Sequence, residues 1–201
     1  LGWIMSNEKF WEPYKDVVNK VKFKATYGIV GNDAIGNEND RFFYISQVNM
    51  NSNGQAFGLN FQNNIPGISI DRYPNDQISW ETAKMANFGI EVGLFNKIDI
   101  QADVFHEDRS NILIDRSQIP ATMGLQSPLR ANVGEASSNG FEISVDYNES
   151  FANGIWMSAR GNFTYATSNV DVFEELDYAG AGLPWKTKVG HAISQPFGLI
   201  A

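Results

Sequence analysis

Residues 87–105 alternate between apolar and polar side chains at almost every step, and this alternation constrains the fold more than any other feature of the chain. The pattern breaks once, at Asn96-Lys97, which predicts a two-residue turn between two strands. Successive side chains of a strand point to opposite faces, so we expect a β-hairpin with one apolar and one polar face. The apolar face must meet either a protein core or lipid. Its members are Phe88, Ile90, Val92, Leu94, Ile98, Ile100, Ala102 and Val104.

Composition narrows the class of protein. The chain has 201 residues, of which 13% are aromatic and 18 are glycines, as suits a sheet protein with many turns. A net charge of −8 argues against a nucleic-acid partner, which requires clustered Lys and Arg. The absence of cysteine excludes a thiol catalyst and a thiolate metal site. No apolar run reaches the roughly 18 residues of a membrane-spanning helix, but a barrel strand needs only about 9–11 alternating residues.

The rest of the chain predicts further strands joined by connections of unequal length. We expect strands at residues 21–31, 78–95, 98–116, 141–147 and 155–165, a strand tail at 1–5, and weaker strands near 41–49 and 55–61. Short turns fall at Asn96-Lys97 and at 150–154, whereas long loops are expected at 32–77, 117–137 and 171–184. Outer-membrane barrels sort their loops in this way, with short periplasmic turns and long extracellular loops. A soluble antiparallel sandwich also alternates its faces, so it stays open as an alternative.

The polar faces of these strands carry the charged residues that would line a barrel lumen. Aromatic residues in or beside the long loops could stack on the apolar faces of sugars, pack the loops together, or contact a partner protein. The candidate lumen residues are Lys22, Lys24, Glu91, Asp99, Asp103, Glu142 and Arg160, with Asp146 on the same kind of face. The candidate loop aromatics are Phe42, Phe43, Tyr44, Tyr73, Trp80, Tyr178 and Trp185.

A series of short segments, in order along almost the whole chain, resembles the SusC/RagA type of TonB-dependent outer-membrane transporter. Each segment alone is weak evidence, but their order and spacing are specific. The segments begin with Val21-Lys-Phe-Lys-Ala-Thr-Tyr-Gly-Ile-Val-Gly-Asn-Asp33, Arg41-Phe-Phe-Tyr44, Ile78-Ser-Trp-Glu81 and Phe88-Gly-Ile-Glu-Val-Gly-Leu-Phe95. They continue with Asp103-Val-Phe-His-Glu-Asp-Arg109, Ile112-Leu113, Ala131-Asn-Val-Gly-Glu135, Asn139-Gly-Phe-Glu142 and Arg160-Gly-Asn-Phe-Thr-Tyr165.

The resemblance implies an all-β, antiparallel transmembrane barrel segment, about seven strands of a barrel of about 22 strands closed by a plug. Residues 1–201 would be a fragment from the C-terminal half of the barrel domain, without the plug domain and the TonB box. The family implies a bacterial outer membrane, import of oligosaccharides or peptides, a SusD-like surface lipoprotein as partner, and TonB contact through the missing N-terminal part. The cargo, the presence of the lipoprotein and the oligomeric state stay open. A siderophore-type receptor and a soluble carbohydrate-binding module are the alternative functions.

No residue pattern predicts an enzyme, a cofactor or a metal site. Gly28-Ile-Val-Gly31 with Gly36 lacks the Gly-Lys-Ser/Thr ending of a phosphate loop. Asp99, Asp103 and Glu107 are spaced about 13 Å apart along a strand, too far for paired acid and base work on a sugar. The acidic residues of loop 171–184 could bind calcium, although they lack the ligand spacing of an EF-hand. These residues are Asp171, Glu174, Glu175 and Asp177.

Overall fold

The computed structural model describes residues 1–34 and 42–196, and these residues form an almost entirely β structure. The predicted all-β class is confirmed. Among the described residues, no helix is long and apolar enough to cross a membrane. The strands are β1 (Gly2–Ile4), β2 (Val18–Asn32), β3 (Gln47–Phe57), β4 (Asn63–Arg72), β5 (Glu81–Leu94), β6 (Ile98–Asp115), β7 (Arg130–Ser150) and β8 (Trp156–Val172). Short 3-10 helices cover Met5–Asn7, Lys9–Tyr14, Ala121–Met123 and Pro184–Lys186.

The strands form two sheets. Six strands lie in the order β1-β2-β5-β6-β7-β8, and β3 pairs with β4 as a separate two-stranded antiparallel sheet. About seven wall strands were predicted, and the larger sheet has six strands in the described residues. By contacts, the chain divides into a first unit of residues 1–30, 83–108 and 137–169, and a second unit of residues 31–82, 109–136 and 170–201.

The first unit exposes an apolar face in place of a conventional core. Phe23 of β2 stacks on Trp3 of β1 with ring centroids 6.0 Å apart and on Phe88 of β5 at 6.4 Å. Phe88 is nevertheless 52% exposed. The sandwich alternative requires a second sheet over this face, and the exposure of Phe88 argues against that cover. Similar aromatic contacts at 5.8 Å join Phe141 of β7 to Phe163 and Tyr165 of β8.

The turn between β5 and β6 begins one residue earlier than predicted. Residues 95–97 separate the strands, and the Lys97 N–H donates to the Leu94 carbonyl at 3.0 Å. The positive φ angles fall at Phe95 (55°) and Asn96 (54°), the combination that primed hairpin turns require. The prediction of Asn96-Lys97 rested on the break in the alternation, which gives no sign of a positive φ at Phe95, because phenylalanine rarely adopts that conformation.

The same turn is fixed to the neighbouring strands of the first unit. The Lys97 ammonium lies 2.7 Å from the Glu149 carboxylate, whose hydrogen bond raises the pKa of Lys97 above its usual range. The Lys97 carbonyl accepts a hydrogen bond from the Asn148 N–H at 2.7 Å, and Phe95 donates to the Val17 carbonyl at 2.9 Å. The turn is therefore fixed by β7 and by the residue that precedes β2.

Apart from the short turn between β3 and β4, which form their own sheet, loop lengths in the described part of the chain follow the predicted sorting with one exception. Residues 95–97 and 151–155 make short connections, whereas residues 33–46, 73–80 and 116–129 make longer ones. The exception is residues 5–17, a connection of two 3-10 helices between β1 and β2. Because Phe95 bonds to Val17, this longer connection lies at the same end of the strands as the short turn at 95–97.

Several predicted boundaries in the second unit were wrong. Weak strands were expected near 41–49 and 55–61, but β3 covers Gln47–Phe57 and β4 follows at Asn63–Arg72. Gly36 and Arg41 lie outside the described residues. The pairing of β3 with β4 has register shifts at three places, which hides any period-two pattern. β5 begins at Glu81, later than the expected residue 78. β7 begins at Arg130, inside the loop expected at 117–137, because Gly134 and Ala136 interrupt the apolar alternation of its first residues.

Candidate functional site

A cluster of charged side chains lies on the polar face of the first unit. Glu91 of β5 contacts three lysines of β2, with carboxylate–ammonium distances of 2.7 Å to Lys20, 3.2 Å to Lys22 and 3.4 Å to Lys24. Lys24 also lies 3.2 Å from Asp103 of β6. The alternate residues of β2 place all three lysines on one face, and strand pairing brings that face beside β5. We call these five residues the Glu91 cluster.

Gly89 provides the space that this cluster occupies. A Cβ atom at Gly89 would lie 2.0 Å from the Asp103 Oδ1 atom and 2.8 Å from the Lys24 Cε atom. Asp103 is also held by Gln101, whose side-chain amide donates to it at 2.7 Å. The absence of a side chain at Gly89 therefore lets the Asp103 carboxylate reach Lys24 across β5.

The remaining predicted polar-face residues of the first unit are more exposed. Arg160 of β8 forms an ion pair with Asp146 of β7. Asp99 and Glu142 are exposed. The structure thus brings Lys22, Lys24, Glu91 and Asp103 together and leaves the others apart: Asp99, Glu142 and Arg160 do not belong to the Glu91 cluster.

Sequence reasoning missed two members of this polar surface. Lys20 makes the shortest contact to Glu91, and Gln101 orients Asp103. Lys20 has the same period-two position as Lys22 and Lys24, so its alternation was a usable signal. It was overlooked because the strand was expected to begin at Val21, whereas β2 begins at Val18.

The three consecutive loop aromatics have different environments in the second unit. Phe42 and Tyr44 are each 56% exposed and contact one another edge to face at 6.1 Å. Phe43 is only 3% exposed. The guanidinium groups of Arg72 and Arg130 lie 5.4 Å and 5.8 Å from its ring centre. Burial between two cations favours the loop-packing role for Phe43 and removes it from reach of a substrate.

The other loop aromatics of the second unit are partly or mostly exposed. Trp80 is 63% exposed and packs over Gly31, where an added Cβ atom would lie 3.0 Å from the indole ring. Trp185 is 50% exposed. Tyr73 is half-buried, and its hydroxyl accepts a hydrogen bond from the Gln126 N–H at 3.2 Å. Tyr178 is half-buried as well, so Trp80 and Trp185 are the more accessible of these four.

The acidic residues of the last loop have protein partners. Glu174 forms an ion pair with Arg116, Glu175 accepts a hydrogen bond from the Lys188 N–H at 2.9 Å, and Asp177 accepts one from the Gly180 N–H at 2.8 Å. Within residues 1–34 and 42–196, no group of three or more His, Asp or Glu side chains could hold a metal ion. The calcium hypothesis therefore has no geometric support in the described loop.

Comparison with known proteins identifies the family. The family described as "TonB dependent receptor-like, beta-barrel" matches residues 37–191, more than three-quarters of the chain. The chain belongs to the TonB-dependent receptor family. The resemblance to a TonB-dependent receptor is confirmed, and solved structures described as the RagAB peptide transporter share the fold of this receptor chain. One has a TM-score of 0.68 at 24% identity, covering 88% of the receptor chain and 18% of the solved chain. The RagAB peptide importer in a "closed-closed" state gives 0.68 at 23% identity, with the same coverage.

Curated relatives agree with this family. TonB-dependent receptor P39 of Formosa agariphila is 29% identical over 175 residues, which cover 85% of this receptor chain. TonB-dependent receptor P3 of the same organism is 25% identical over 147 residues, or 73% of the chain. The chain spans only 15% and 14% of the length of these two relatives.

Proposed function

We propose that these 201 residues form a section of barrel wall in a bacterial outer-membrane transporter that imports peptides or oligosaccharides. The observation that carries the proposal is the family match over residues 37–191, on a sheet with one charged face and one exposed aromatic face. The aromatic face is compatible with contact to lipid, whereas the charged face requires water or polar protein around it. The Glu91 cluster then lies toward the lumen.

TonB is the energy source in this proposal, and a SusD-like surface lipoprotein is the partner. The plug domain and the TonB-contacting segment would belong to the portion of the protein outside this chain, which spans about a seventh of its curated relatives. The likeness to structures described as a peptide transporter supports an importer and favours peptide cargo. The accessible rings of Trp80 and Trp185 provide contact surface for cargo or for the lipoprotein.

Uptake by living cells tests the proposal. A strain carrying the whole gene is compared with a deletion strain and with a complemented strain, using a fluorescein-labelled hexapeptide and a fluorescein-labelled maltohexaose as cargo. We expect uptake of one class of cargo to be lost on deletion and restored on complementation. An uncoupler that collapses the proton-motive force should abolish the same uptake, because TonB transmits energy from the inner membrane.

The controls separate transport from other roles. A complementing gene that lacks the TonB-contacting segment should leave the protein in the outer membrane but restore no uptake. Equal accumulation of both labelled cargos in all strains would contradict the proposed transport of these classes. Recovery of the whole protein in the aqueous fraction without detergent would support the carbohydrate-binding module instead.

A further inference from the structure

The second unit contains an apolar cavity that none of the sites above uses. It has a volume of about 380 Å³ and lies between the ends of β6, β7 and β8 and the segment after β8. That segment is fixed to β8 by two backbone hydrogen bonds, from Gly190 to the Val170 carbonyl at 2.8 Å and from Val170 to the His191 carbonyl at 2.9 Å. The apolar lining comes from Ile112, Ile114, Val170, Val172, Phe173 and Ile193.

Gly134 keeps the floor of the cavity open. A Cβ atom there would lie 3.1 Å from the Ile112 Cβ atom and 3.1 Å from the Ile114 Cγ2 atom. Ala136, two residues along β7, is 6% exposed, and Glu135 between them is exposed. Glu135 also lines the cavity, while alternation along the strand directs its side chain to the face of β7 opposite Ala136.

Lys188 is the charged side chain on the cavity side. Its ammonium lies 4.5 Å from the centre of the Phe173 ring, at the edge of the apolar lining. The neighbouring Glu175 carboxylate accepts a hydrogen bond from the Lys188 backbone N–H and does not contact the ammonium. Among the described residues, no carboxylate forms an ion pair with this ammonium. An apolar chamber with one cation at its edge fits a ligand that carries an apolar group and a carboxylate.

We propose that this cavity binds the carboxyl-terminal residue of a short peptide, with an apolar side chain inside and the terminal carboxylate on Lys188. The inference rests on the proposed transport function and narrows its cargo. The volume of about 380 Å³ lies at the small end of ligand pockets, which span about 300–1,000 Å³, and has room for a leucine or phenylalanine side chain. A sugar is covered with hydroxyl groups, and burying them against isoleucine, valine and phenylalanine without hydrogen-bond partners is unfavourable. A short fatty acid has the same combination of groups and is the second source to be distinguished.

Calorimetric titration of the purified whole protein in detergent tests the subsite. The probes are acetyl-Ala-Ala-Leu as the free acid, the same peptide as its amide, acetyl-Ala-Ala-Ser and octanoate. We expect the free acid to bind at least about tenfold more tightly than the amide or the serine peptide, which corresponds to about 1.4 kcal/mol. Lys188→Gln should reduce this preference for the free acid to near unity, and Lys186→Gln, on the same segment but outside the lining, should leave it unchanged.

Two cavity-filling variants complete the test. Ala136→Phe should abolish binding of the leucine peptide. Because Ala136 is buried and this change can also impair folding, Val172→Phe, at a 43% exposed position, is the second variant and should abolish binding as well. Binding that survives both filled variants, or that ignores the amide, would overturn the subsite even if labelled peptides are still imported. Binding of octanoate without the peptide would overturn the peptide assignment. Loss of uptake in the deletion strain tests the transporter separately from all of these outcomes.

Discussion

Replacing Glu91 with glutamine in the whole protein removes the carboxylate that three lysines share. The side chain keeps its size, but the ammonium groups of Lys20, Lys22 and Lys24 lose a partner at 2.7–3.4 Å and retain Asp103, which contacts Lys24. Coulomb's law gives about 1.5 kcal/mol for unit charges 2.7 Å apart in bulk water and about 1.2 kcal/mol at 3.4 Å. Side-chain entropy and screening reduce exposed pairs to about 0.2–1 kcal/mol each.

The exposure of the partners decides where in that range the cluster falls. The Glu91 side chain is 15% exposed, and those of the lysines are 27–44% exposed. Partial burial favours the upper half of the range, while mutual repulsion of the ammonium groups limits the sum. We therefore expect Glu91→Gln to lower the free energy of unfolding by about 2 kcal/mol.

Urea unfolding of the protein in lipid vesicles, followed by tryptophan fluorescence, measures this loss. Asp99→Asn, at an exposed carboxylate of β6, is the matched control and should cost less than about 0.5 kcal/mol. The loss for Glu91→Gln should shrink at 1 M salt, where the Debye length is about 3 Å. Lys20→Gln should cost less in the Glu91→Gln background than alone. Equal losses for Glu91→Gln and Asp99→Asn would refute the reasoning.

Three further outcomes are expected. Phe43→Ala should cost about 3–4 kcal/mol and speed proteolysis of its loop, because Phe43 is buried, whereas Tyr44→Ala, at an exposed neighbour, should do neither. Asn96→Val should destabilise the turn by about 1–2 kcal/mol in the urea assay and Asn96→Gly should be neutral, since φ is 54° there; equal stability of both variants would contradict the turn assignment. The 201-residue chain alone should not make liposomes swell in sugar, because in the described residues β1 and β8 are the outer strands of an open sheet, and lipid does not tolerate an open sheet edge; sugar-permeable vesicles would disprove this.

Local alternation is the information that the sequence carried most reliably. The opposition of Phe88 to Glu91 on β5 and of Val104 to Asp103 on β6 follows from the period of a strand, which does not depend on neighbours. The class of fold, the long strands and the tight connections could therefore be predicted. The weak strands β3 and β4 could not, because register shifts break the period on which such a prediction depends.

Contacts between distant residues were decided only by the tertiary structure. Lys22 and Glu91 are 69 residues apart, and they meet because β2 pairs with β5 across the whole of the intervening β3–β4 segment. Nothing local distinguishes Phe43 from Phe42, yet only Phe43 is enclosed by two arginines from other segments. Alternation thus determined which face each strand residue occupies, and strand pairing and loop packing determined which charges and rings meet, because those depend on residues far away in sequence.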